Sequence, residues 1–152
     1  MTPPRAQSKG GPADGCRFCA IVARRSPATV VLDEDHALAF LDVRPVFAGH
    51  VLLVPRAHHE TLAELPPDAV GPLFLTVRRL AAAIEEAMEA DGTFVALNNK
   101  VSQSVPHLHV HVVPRRHKDG LRGFFWPRTR YTNEDEMEQV AARIRAALTS
   151  GG

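Results

Sequence analysis

The sequence predicts an α+β fold, an antiparallel sheet with helices packed against it. Three observations carry that prediction. Short β-branched segments are separated by turn signals, one long amphipathic helical segment falls among them, and strands and helices do not alternate regularly. The 152 residues match the length of one ordinary domain.

Residues 1–15 are rich in Pro, Gly, Ser and Gln and have no hydrophobic period, so a flexible tail is expected there and a single domain over 16–152. Phe18, Cys19, Ile21 and Val22 fit one face of a short helix, which Ser26-Pro27 breaks. Val30–Leu32 and Ala37–Asp42 read as strands joined by the turn Asp33-Glu34-Asp35. Val51–Val54, an unbroken apolar run ended by Pro55, has the character of a strand buried on both faces.

The long helix is expected over Asp68–Ala90, with Val70, Phe74, Val77, Leu80, Ala81, Ile84 and Met88 on its apolar face. Pro72 falls in its first turn, and Gly92 supplies a left-handed cap. Strands follow at Thr93–Leu97 and Pro106–Val113, separated by the loop Asn98–Val105. A last helix starts at Asn133, whose acceptor side chain and Glu136 form a start resembling a capping box.

Composition excludes several classes of function. Hydrophobic residues at 45% rule out wholesale disorder, and a net charge of +1 gives no field for duplex nucleic acid. No apolar run approaches the ~20 residues of a membrane span, and no leader-like start precedes one. A cytoplasmic protein is expected. Two cysteines are too few for a disulfide scaffold.

The chemistry concentrates in Pro106-His107-Leu108-His109-Val110-His111-Val112-Val113. In a strand, His107, His109 and His111 would share one face at intervals of ~7 Å, while Leu108, Val110 and Val112 supplied the buried face. Such a row can bind a transition metal, exchange protons near neutrality, or attack phosphorus. A merely solvated polar stripe would be served as well by Ser, Thr, Lys or Glu.

This segment resembles the His-φ-His-φ-His-φ-φ motif of the histidine triad family, φ being hydrophobic. Gln103-Ser104-Val105, Phe40-Leu41-Asp42, the block Gly49–Arg56 and Asn98-Asn99 also look like that family, in its order, across roughly residues 16–114. The resemblance implies a sheet of about five antiparallel strands, a homodimer, and an enzyme acting on purine nucleotides. It makes His109 the nucleophile on the α-phosphate and His111 its partner at the phosphate and leaving group. Gln103 and Ser104 are implied to hold phosphate, and Asp42 the ribose. Asn98 or Asn99 is implied near the sugar and phosphate. Phe18, Phe40 and Leu41 fit either a wall for the base or the core. The loop Asn99–Ser102 departs from the longer, glycine-rich loop of many relatives, and Lys100 there faces either phosphate or solvent.

Cys16-x-x-Cys19 has the spacing of half a zinc site, and His50, His58, His59 and His107 are candidates to complete it. Relatives with this early pair use the histidines that correspond to His58 and His107, which implies a structural zinc. Idle thiols and a redox pair are the competing readings. Arg115, Arg116, His117 and Lys118 read as a solvated basic run or a contact for a polyphosphate tail. Phe124-Phe125-Trp126 has no single assignment.

The function expected is hydrolysis of nucleoside 5′-phosphate conjugates, either phosphoramidates or dinucleoside polyphosphates, through a nucleotidyl-histidine. His111 favours hydrolysis, because relatives that transfer nucleotides usually carry Gln there. The alternatives are a phosphorylase acting on dinucleoside polyphosphates and a non-catalytic, zinc-stapled nucleotide-binding module.

Overall fold

The computed structural model describes residues 15–121 and 129–150. The expected tail, apart from Gly15, and the aromatic group Phe124-Phe125-Trp126 lie outside the described residues. The chain divides into two compact units, Met1–Asp119 and Gly120–Gly152.

The first unit holds α1 (Arg17–Val22), β1 (Val30–Asp33), β2 (Ala37–Leu41), β3 (Val51–Pro55), α2 (Pro67–Ala87), β4 (Gly92–Ala96) and β5 (Val110–Arg115). The five strands form one antiparallel sheet in the order β1-β2-β3-β5-β4. The fold is therefore α+β with a five-stranded antiparallel sheet, as the sequence predicts.

Alternation along the central strands builds two cores. Ala37, Ala39, Val51, Leu53, Val110 and Val112 join Leu73, Val77, Leu80 and Ile84 of α2. Leu38, Phe40, Leu52 and Val54 point the other way and join Cys16 and Phe18. With both faces covered, every residue of β3 is buried.

Several boundaries move. The long helix starts at Pro67, where the missing N–H costs nothing, and this places Pro72 beyond the first turn. Its buried stripe is Leu73, Thr76, Val77, Leu80 and Ile84, so Leu73 rather than Phe74 faces the sheet. It ends three residues earlier than expected, at Ala87, and Glu89 takes the positive φ of 48°. Gly92 instead opens β4. Gly49 does need its φ of 95°, and a Cβ there would lie 2.8 Å from the Met88 side chain.

In the second unit, α3 spans Glu134–Ser150. Asn133 caps it by accepting from the Glu136 N–H at 2.8 Å, while the Glu136 carboxylate reaches back to the Thr132 N–H. The reciprocal bond of a capping box thus forms one residue earlier than the standard pattern.

Candidate functional site

β5 begins at Val110, so His107 and His109 belong to the segment leading into the strand, and only His111 sits on the ladder. Two of the three histidines thus precede the ladder, and the three rings differ in their surroundings. His107 is fully buried and turns away to the two cysteines, whereas His109 and His111 face each other with ring centroids 5.0 Å apart. The lead-in bends before the ladder, the His107 N–H donating to the Val105 carbonyl at 2.8 Å and the Leu108 N–H to the His59 carbonyl at 2.7 Å rather than to a neighbouring strand.

Register decides what His111 meets. It pairs across the sheet with Leu52 of β3, a residue of the α1-side core. The site therefore occupies the face opposite α2, beside Phe18 and Phe40.

Hydrogen bonds fix the tautomers. The Nδ1–H of His109 donates to the His107 carbonyl at 2.7 Å, so a neutral His109 carries its lone pair on Nε2. The Val46 N–H donates to His50 Nδ1 at 3.1 Å, which puts the His50 proton on Nε2. That proton is donated to His111 Nδ1 at 2.9 Å, leaving the His111 proton on Nε2. Burial holds all three imidazoles below their ordinary pKa, His111 at about 4, where the neighbouring His109 and His50 add to the effect. Near neutrality they are uncharged.

His50, which sequence reasoning placed only as a metal candidate, joins this arrangement of rings. It is buried just before β3, 3.7 Å from an Asp42 carboxylate oxygen. Ligand atoms of Asp42, His50 and His111 lie within 4.8 Å of one another. Because Val46 occupies His50 Nδ1 and the Nε2–H goes to His111, the two rings form a hydrogen-bonded pair with the Asp42 carboxylate alongside rather than a cation site.

The other site residues are distributed as follows. Asp42 follows β2, half-buried, and accepts from the Arg44 N–H at 2.8 Å. Phe40 is buried against Phe18, while Leu41 packs toward the α2-side core, away from the histidines. Asn99 Oδ1 accepts from the Leu62 N–H, and Asn98 Nδ2 donates to the Ser102 carbonyl. Both ends of the Gln103 amide are engaged, Oε1 by the Lys100 N–H at 2.9 Å and Nε2 by the Glu60 carbonyl at 2.6 Å. Ser104 is exposed and lines a cleft of about 250 Å³ with Arg17 and His58. Lys100 is exposed with φ 69°. Arg115 closes β5, five residues along an extended strand from Val110, and pairs with Asp119, so the basic run sits at the far end from His109.

A second cluster lies beside the first. Cys19 Sγ is 3.2 Å from His58 Nδ1, and both sulfurs are 3.5 Å from His107 Nδ1. All four ligand atoms fall within 4.8 Å of one another, and both cysteines are free. The His107 Nε2–H donates to the Pro55 carbonyl at 2.8 Å, which leaves the Nδ1 lone pair aimed at the sulfurs. Burial pushes the Cys19 thiol up to about 11, with Cys16 adding to the effect. Two sulfurs and two imidazole nitrogens converging in this way fit a closed tetrahedral zinc centre, with the Pro55 carbonyl behind His107 setting its tautomer. His50 and His59 lie outside the cluster.

Residues 23–118 match the family described as the HIT domain. Adenosine 5′-monophosphoramidase HNT1 of Saccharomyces cerevisiae is 30% identical over 135 residues, covering 88% of this chain and 82% of that one. The crystal structure of SMU.412c from Streptococcus mutans superposes with a TM-score of 0.83 at 32% identity, covering 94% of this chain and 91% of that one. A zinc-bound histidine triad family protein from Mycobacterium smegmatis gives a TM-score of 0.69 at 34% identity, covering 93% of this chain and all of that one.

Proposed function

The chain belongs to the histidine triad (HIT) family, and on that premise we propose that it hydrolyses nucleoside 5′-phosphate conjugates through a nucleotidyl-histidine intermediate. One observation carries the reading. His109 is 3% exposed, neutral, and held by its Nδ1–H, so an unprotonated Nε2 is left to attack phosphorus. The relative named as a phosphoramidase supports the substrate class.

In the first step His109 Nε2 bonds to the α-phosphorus and the bond to the leaving group breaks. His111, aimed through its Nε2–H by His50, hydrogen-bonds the reacting group. An arriving phosphate anion raises the His111 pKa that burial had lowered, so a proton taken up by the His50–His111 pair is available to the leaving group while His109 Nε2 stays unprotonated. In the second step water attacks the phosphorus, the P–N bond breaks, and nucleoside monophosphate leaves. The sum is substrate plus water giving monophosphate plus protonated leaving group.

The cluster Cys16, Cys19, His58 and His107 is proposed to hold structural zinc, a reading that the zinc-bound mycobacterial relative supports. Bound there, zinc supplies a cross-link and no reactive water, since all four positions are protein ligands. We also propose a homodimer across β4, an edge strand with Val95 42% exposed, together with α2, where Leu75 is 61% exposed. Among the described residues no helix is long and apolar enough to cross a membrane.

The test is intact mass spectrometry of acid-quenched protein after mixing with an adenosine phosphoramidate. An adenylate adduct on wild type, absent from His109→Ala, is expected. Equal turnover by that variant would overturn the mechanism.

A further inference from the structure

The cysteine–histidine cluster and the reacting pair share a residue, and two physical links run between them. The first passes through His107. Its ring is held from both sides, Nε2–H on the Pro55 carbonyl and Nδ1 against the two sulfurs, and its own carbonyl receives the Nδ1–H of His109 at 2.7 Å. The peptide that carries this carbonyl is held at its other end by the Leu108 N–H on the His59 carbonyl, next to His58, so the cluster's ring and loop together set the carbonyl's direction, and the carbonyl selects the tautomer of His109.

The second link is Phe18. It lies between Cys16 and Cys19 in α1, is 5% exposed, and stands edge-on to both rings, 6.1 Å from His107 and 5.0 Å from His109. α1 has only six residues, too few to persist by helix propensity alone. Its N-cap is the Cys16 sulfur, which accepts from the Cys19 N–H at 3.4 Å. The helix that carries Phe18 is thus held at both ends of one turn by the residues of the cluster.

We propose that the Cys16–Cys19–His58–His107 centre is a positioning device for the nucleophile, so that occupation by a zinc-like cation holds His109 in one tautomer and one aim through the His107 carbonyl and the Phe18 ring edge. The inference rests on the reading of His109 as the nucleophile. It goes beyond stapling, because it makes the chemical step depend on the centre while Asp42, on β2's far end, and the chain His50–His111 lie outside the cluster. Phe18 and the His107 carbonyl are positioning groups, since neither is required to touch substrate.

The full chain is compared zinc-loaded and chelator-stripped, with loaded Phe18→Leu as a second variant. Three readouts are taken: kcat and KM on an adenosine phosphoramidate, AMP affinity, and the side-chain 15N signals of His109. Stripping is expected to lower kcat by about 10–100-fold, because small misplacement of a reacting group costs that much. KM and AMP affinity should change by no more than about twofold, since ground-state binding is retained. The 15N signals should pass from a single Nδ1–H tautomer to a mixture. Phe18→Leu should lose kcat by about 10-fold at full zinc content, the usual size of an outer-shell effect.

If stripped protein unfolds, the loaded Phe18→Leu variant decides. An unchanged kcat and an unchanged His109 tautomer in that variant, or in folded stripped protein, would overturn the proposal. Should loaded wild type hydrolyse nothing, the proposed function fails, while the 15N signals still report whether the centre sets the tautomer of His109.

Discussion

The Nε2–H of His50 donates to Nδ1 of His111 across 2.9 Å, joining the residue that precedes β3 to β5. His50 is held in turn by the Val46 N–H. A backbone amide therefore sets one tautomer, and that ring sets the next. Replacing His50 by Ala removes the orientation of His111 without touching His109. We expect kcat to fall by about 10–100-fold, the range typical of outer-shell partners, with a smaller change in KM. Steady-state kinetics beside circular dichroism will check it.

His109→Ala should abolish the covalent adduct and reduce kcat by at least ~10³-fold, since residues acting as one catalytic unit fail together. The proposed dimer should be unaffected, because His109 is buried on the face opposite α2. Adduct mass and sedimentation velocity measure the two outcomes separately.

Acid should destabilise the fold through the same imidazoles. Burial lowers the folded pKa of His50 and of His111, the latter from 6.5 to about 4. The unfolded chain therefore binds more protons between those values. The stabilising contribution is complete above the unfolded pKa and is lost as pH falls through the folded one. Tm should drop between about pH 7 and pH 4.5, and His111→Asn should flatten that dependence. A Tm unchanged over this window would contradict it.

Gln103 bridges two loops by both ends of its amide. Gln103→Glu keeps the acceptor for the Lys100 N–H but sets an oxygen against the Glu60 carbonyl. A loss of about 1–2 kcal/mol is expected, the cost of an unmade hydrogen bond plus an unfavourable contact. Urea melts will measure it.

The same loop holds Lys100 and Ser102 at φ 69° and 60°, the left-handed region that favours glycine. Lys100→Gly should stabilise by up to about 1 kcal/mol, because relief of the strain exceeds the added chain entropy of glycine. A destabilised variant would mean that the lysine side chain contributes more than its backbone costs.

Much of the fold was legible in the residues because it depends on local period and chemistry. Val51–Val54 announced a strand covered on both faces, and the spacing of Val77, Leu80 and Ile84 announced a helix against the sheet. Gly92 misled because a glycine after a helix signals either a cap or the close start of a strand, and local sequence does not separate the two. Phe74 misled because neighbouring apolar residues on a helix, here Leu73 and Phe74, differ by only a small rotation of the buried stripe.

The His-Leu-His-Val-His segment fixed by itself which atoms can react, since the imidazoles, the two thiols and their spacing are properties of the chain. Which of them act together was decided by tertiary structure. Register brought His111 opposite Leu52 and within reach of His50, and the bend before β5 carries His107 beside Cys16 and Cys19. The proton on His107 is set by the Pro55 carbonyl and that on His111 by the His50 ring, groups distant in sequence that meet them only once the strands have paired, whereas His109 and His50 take theirs from the nearby His107 carbonyl and Val46 amide.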